Sequence, residues 1–147
     1  MPEKATLQRA RRDRREGKSA STQAGEFVKQ EMDHIRQGKH GARNAKQAIA
    51  IGLSEARRAG IKVPARKGAT SKSTRRKAAQ DTAAGRHPHK PSRTRSRATE
   101  NALKREPRRA ASKTALSRQA HRAASKRSAA SRAASAKKAA RTRAHGR

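Results

Sequence analysis

The chain of 147 residues contains no cysteine, no tryptophan and no tyrosine, and Phe27 is its one aromatic residue. Without cysteine there is neither a disulfide framework nor a thiolate metal site. With a single aromatic, base stacking cannot drive single-strand nucleic-acid binding. Large apolar groups are scarce too. Leu, Ile, Val and Phe make up 11 residues, about 7% of the chain, far below the roughly 20% under which a highly charged chain is expected to stay disordered. The nominal 31% hydrophobic content is mostly alanine, which favours helix but buries little surface. No apolar run approaches the length of a membrane span. The start, MPEKATLQRARRDRREGK, has no apolar core for a signal peptide, and Glu3, Asp13 and Glu16 disfavour a transit peptide. A cytoplasmic protein is expected.

What is abundant is positive charge. Against 41 Lys and Arg stand 10 Asp and Glu, a formal net charge of +31. Such a chain needs a polyanion to neutralise it. No long apolar helix face accompanies the charge, so a membrane surface is not the expected partner. The imbalance grows along the chain: residues 1–63 have a net charge of +8 and residues 64–147 of +23.

The apolar residues collect between 21 and 64. All four isoleucines, both valines and Phe27 lie there. Ser21 or Thr22 is a good N-cap. Ala24, Phe27, Val28, Met32 and Ile35 then recur at helical spacing, and Gly38 marks the stop. Asn44 with Gln47 three residues on reads as a capping box. Ala45, Ile49, Gly52, Leu53 and Ala56 share one face of a second helix, and Gly60 and Pro64 end it. The spacing predicts a helical hairpin with helices at about 22–37 and 45–59. Gly52 costs about 0.5–1 kcal/mol relative to alanine, so its place on the apolar face implies close approach of another helix backbone. Ile51 lies on the opposite face, which a two-helix hairpin leaves uncovered. A third helix, with Leu7 of the N-terminal arm as the candidate, or a homodimer through the hairpin would cover it.

The expected fold class is therefore mostly α: a small hairpin, a candidate helix over 3–16, and a long disordered basic tail. The expected organisation is a basic arm at 1–20, the hairpin module at 21–64, a disordered linker at 65–107 broken by Gly68, Gly85, Pro88, Pro91 and Pro107, and a low-complexity Ala/Arg/Lys/Ser tail at 108–147. In that tail serines and charge repulsion oppose helix until a polyanion neutralises it.

Catalysis finds no support. There is no G-x-S-x-G elbow, Walker loop or dinucleotide fingerprint, so a non-enzymatic protein without cofactor is expected. His87-Pro88-His89 has no acidic or cysteine partner nearby and reads as polar linker. His34 and His40 fall near each other across the interhelical turn, but Asp33 and His34, being adjacent, point different ways on a helix. No metal site is expected. The Gly38-Lys39-His40-Gly41 turn could offer amides at the start of the second helix to one phosphate.

The remaining chemistry is phosphate neutralisation. Candidate nucleic-acid contacts around the hairpin are Lys39, Arg43, Lys46, Arg57 and Arg58. Along the tail they are Arg75, Arg76, Lys77, Arg108, Arg109, Arg122, Lys126, Arg127, Arg132, Lys137, Lys138, Arg141 and Arg143. Without a reading element or stacking aromatics, sequence-nonspecific binding is expected. The expected partner is duplex DNA, for a nucleoid-associated, histone-like protein. The alternatives are an RNA-binding or ribosome-associated protein, and a plasmid-maintenance or other protein-interaction module that uses the hairpin's apolar face.

Two resemblances agree with this. The elements F-V-x-x-E-M (Phe27–Met32), G-K-H-G (Gly38–Gly41) and K-Q-A-I-A-I-G-L-S-x-A-R-R-A-G (Lys46–Gly60) resemble a family of short basic bacterial proteins of unassigned function, some of them named as DNA-binding or plasmid-stabilisation proteins. That resemblance implies no catalytic residue. The Ala/Lys/Arg/Ser tail is similar in composition to linker-histone and bacterial histone-like tails, though richer in arginine.

Overall fold

A computed structural model describes residues 2–65 and 70–145. The chain divides into two compact units, Met1–Ser112 and Lys113–Arg147. Strands are absent among the described residues. In the first unit the order is α1 (Lys4–Arg15), α2 (Ala20–Arg36), α3 (Ala45–Arg58), α4 (Lys72–Arg86), α5 (Arg93–Lys104) and a 3-10 turn (Arg108–Ala111). The second unit holds α6 (Lys113–Ser125) and α7 (Ala129–His145).

The expected hairpin is α2 and α3. Its second helix is capped as anticipated: Asn44 Oδ1 accepts from the Gln47 amide at 2.9 Å. Gln47 Oε1 in turn accepts from the Arg43 amide at 2.7 Å, one residue before the cap. The first helix starts earlier than expected, because Ser19 and not Ser21 or Thr22 is the cap, its hydroxyl accepting from the Thr22 amide at 3.3 Å. Both helices close alike. After α2 the Gly38 amide donates to Ile35 and the Lys39 amide to His34; after α3 the Gly60 amide donates to Arg57 and the Ile61 amide to Ala56. This closure puts the glycine in the left-handed region, φ +79° at Gly38 and +90° at Gly60, where a side chain is strained.

The seam between α2 and α3 is made of small residues. Ala45, Ala48, Gly52 and Ala56 are buried on α3, while Ile49 and Leu53 are only half-buried. A Cβ built on Gly52 would stand 2.7 Å from Val28 Cα. The helix backbones thus touch where Gly52 was expected to admit a neighbour.

The third helix is α1, packed on α2. Leu7 covers a core cluster of Ala10, Ala24, Phe27 and Ala56, with Leu53, Ile61 and Val63 beside it. Arg9 and Glu26 pair across the two helices. The arm is part of the core.

The expectation of a small hairpin with a disordered tail is overturned. Residues 72–145 are largely helical, although the linker positions 66–69 lie outside the described residues. Two physical terms account for the difference. The serines act as N-caps: Ser71 accepts from Thr74 at 3.1 Å, Ser92 from Arg95 at 3.5 Å and Ser128 from Ser131 at 3.2 Å. Between those caps lie Ala, Arg, Lys and Gln, which head the helix scale. Burial contributes where no large apolar residue signalled it. α4 docks on α3 through Ala78, Asp81 and Gly85, and a Cβ on Gly85 would meet the Arg57 carbonyl oxygen at 2.6 Å. The 3-10 turn buries Ala110 and Ala111, and the Ala111 carbonyl accepts from Arg36 Nε at 3.0 Å. In the second unit neither α6 nor α7 buries any residue, so propensity and caps, not a core, define them.

Candidate nucleic-acid interface

The candidate cations fall into three groups. The first is engaged within the first unit. Arg57 is 8% exposed and donates from Nε to the Val63 carbonyl at 2.8 Å. Arg58 and Lys77 converge on the buried Asp81 carboxylate, at 3.1 and 3.2 Å, and Ser54 donates to the same carboxylate at 2.8 Å. Burial pushes the Asp81 carboxyl up, but Ser54, Lys77 and Arg58 together outweigh it and hold it below its ordinary range. Lys39 pairs with Glu3 at 3.2 Å. Arg75 belongs here by burial alone: it is half-buried, with no hydrogen-bond partner for its Nε among the described residues. The second group, Arg43, Lys46, Arg76, Arg108 and Arg109, is exposed on the first unit. Arg43 is only loosely paired with Glu106, at 3.7 Å.

The third group lies on the second unit. Residues 113–147 hold eleven Lys and Arg and no acidic side chain. Arg122, Lys126, Arg132, Lys137, Lys138, Arg141 and Arg143 are all exposed. Arg127 is half-buried, because its guanidinium donates to Ser131 and Ser135 one and two turns on. The cations of α7 stand on two sides of the helix, Arg132 and Arg143 on one and Lys137, Lys138 and Arg141 on the other, with Ala129, Ala133, Ala136 and Ala140 on an uncharged stripe between them.

The interhelical turn does not offer its amides to a phosphate. The Gly41 amide donates to the Leu103 carbonyl at 2.9 Å and the Ala42 amide to the Pro107 carbonyl at 3.2 Å. The segment after α5 lies so close to Gly41 that a Cβ there would overlap the Glu106 carbonyl.

The same turn assembles a constellation that the sequence reading passed over. Glu31, His34 and His40 each present one ligand atom, all within 4.8 Å of one another. His40 Nε2 lies 3.5 Å from Glu31 Oε2, and the two imidazoles meet edge to face with centroids 6.2 Å apart. Asp33, the carboxylate weighed from the sequence, instead pairs with Arg36 at 3.4 Å. The legible signal was the three-residue spacing of Glu31 and His34, which puts both on one face of α2. Burial raises the Glu31 carboxyl, and the neighbouring Glu55 charge adds to the rise against the opposing effect of His40 and His34. Hydrogen bonding to His34, with Lys39 behind it, holds the exposed Glu3 carboxyl low.

No helix among the described residues is long and apolar enough to cross a membrane. Comparison with curated proteins and with solved structures returns no match. A family of unknown function (DUF6496) does match residues 15–67, the stretch from the last residue of α1 through α2 and α3, so the part of the chain similar to other proteins is the hairpin and its flanks, and that similarity brings no established role for any residue.

Proposed function

We propose that this protein binds nucleic acid without sequence preference, duplex DNA foremost, as a nucleoid-associated, histone-like protein. One observation carries the reading: the second unit presents its cations on exposed helices with no acidic side chain to neutralise them. Phosphates do so, and each contact releases condensed counterions. The first unit adds exposed cations of its own, Arg43, Lys46, Arg76, Arg108 and Arg109. Arg57, Arg58 and Lys77, held by Val63 and Asp81, contribute less. The chemistry is non-enzymatic and consists of neutralising, bridging and compacting phosphate backbones.

The test uses the full chain and a variant with Arg122, Lys126, Arg132, Lys137, Lys138, Arg141 and Arg143 changed to Gln. Binding to duplex DNA and to structured RNA is followed across salt. Each neutralised phosphate contributes about −0.9 to the slope of log affinity against log salt on duplex DNA, so seven replacements flatten it by up to about 6. An unchanged slope removes the second unit from the interface. Tighter binding to RNA at physiological salt makes RNA the partner.

A further inference from the structure

We propose that Glu31, His34 and His40 form a binding site for one divalent transition-metal ion of the zinc type, independent of the basic surface. Glu31 and His34 project from α2 three residues apart. The turn after α2 brings His40 back over them, and its course is set by the Lys39 amide on the His34 carbonyl and by the Gly41 amide on Leu103. The three ligand atoms thus come from two adjacent, well-anchored pieces of backbone.

The second observation is an unmet need. Glu31 is 1% exposed, yet its Oε1 has no hydrogen-bond partner among the described residues. The same holds for Glu55 Oε2, whose charge bears on Glu31. A buried carboxylate oxygen left unpaired is costly, and a cation supplies the missing partner. The imidazoles are also backed as metal-binding histidines usually are. His40 Nδ1 lies 3.1 Å from the Gly41 carbonyl; donating there leaves Nε2, the nitrogen that faces Glu31, as acceptor. His34 Nε2 lies 3.0 Å from Glu3 Oε1, and Glu3 is itself held by Lys39.

Two imidazoles and one carboxylate suit zinc and its late first-row neighbours, whereas calcium and magnesium prefer oxygen donors throughout. Ligands on one tetrahedral zinc stand about 3.4 Å apart, so a cluster within 4.8 Å closes by up to about 1.4 Å on binding. The ion ties the end of α2 to the interhelical turn. Its rival is a site without metal in which Glu31 is simply protonated against His40.

The test takes untagged, full-length protein stripped with chelator and titrated with Zn²⁺ by calorimetry, then with Co²⁺ by visible absorption. The expected result is one ion per chain, a tetrahedral Co²⁺ spectrum, a raised unfolding midpoint, and imidazole NMR shifts at His34 and His40 with none at His87 or His89. Loss of an outer partner typically weakens a site 10–100-fold, so Glu31→Gln or His40→Asn should weaken zinc by at least about 100-fold, and His87→Asn should not. The NMR shifts on the unmodified protein decide the matter even if a variant fails to fold. No saturable binding at micromolar zinc, or shifts confined to His87 and His89, overturns the proposal.

Discussion

Changing Gly52 to Ala is the most direct probe of how the hairpin is built. In an exposed helix the change helps by about 0.5–1 kcal/mol, because alanine loses less backbone entropy on folding. At Gly52 the new methyl would sit 2.7 Å from Val28 Cα, 2.9 Å from Val28 N and 3.1 Å from the Phe27 carbonyl oxygen. These are backbone atoms with no rotamer to change. Reaching an ordinary 3.4 Å contact forces α2 and α3 apart by roughly 0.7 Å, which loosens the dispersion contacts of the whole seam. Overpacking of this kind costs about 1–3 kcal/mol. The net is a loss of roughly 1–2 kcal/mol. Gly25 is the internal control. It lies inside α2, exposed, with nothing within 4 Å of a built Cβ, so Gly25→Ala should gain about 0.5–1 kcal/mol. Urea unfolding followed by far-UV circular dichroism measures both, and hydrogen exchange over 27–35 and 48–56 localises the effect. If Gly52→Ala matches the wild type, or exceeds Gly25→Ala, the backbone contact does not set the seam.

Two further substitutions test other joints. Asp81→Asn should lower stability at neutral pH by about 1 kcal/mol, a modest figure because the exposed Arg58 and Lys77 regain water when released. The Asp81 carboxyl is held below its ordinary 3.8 in the folded chain, so its contribution is full above that value and disappears as the pH falls through the lower folded value. The wild type should therefore loosen α4 in acid below about pH 4, and Asp81→Asn should flatten that dependence; pH-resolved hydrogen exchange over 72–86 reads it, and an unchanged acid profile refutes the assignment. Asn44→Ala removes the acceptor for the Gln47 amide and should cost about 1 kcal/mol, while Asn44→Ser or Asn44→Asp should retain most of the stability in the same urea titration; equal loss in all three variants would mean the cap is not what holds the start of α3.

Much of the hairpin was legible. The glycines after α2 and α3, the Asn44 cap and the stripe from Ala24 to Ile35 follow from local chemistry; a glycine on the apolar face of α3 announced a close helix approach, but not that Val28 is the residue it meets. Leu7 pointed to the third helix. The tail was misread because its helices lack the large apolar residues that ordinarily announce packing. Ser71, Ser92 and Ser128 are indistinguishable in sequence from the serines that stay outside caps, and only their backbone geometry shows which role each takes. The candidate cations were read from charge alone, and charge does not show that Arg57 turns inward to Val63 while Arg76 stays in solvent.

What the order of residues dictated was whatever depends on nearest neighbours: charge, helix propensity, the Asn44 cap, the glycine stops, and the absence of any catalytic motif. The folded chain decided which distant groups meet. Asp81 reaches Arg58 from 23 residues away, Leu103 and Pro107 close over the turn at Gly41 and Ala42, and a loop return of six residues sets His40 against His34 and the buried Glu31. Those juxtapositions depend on how helix axes cross and where a chain doubles back. Such geometry is a sum of many small packing terms, and no single stretch of sequence encodes it.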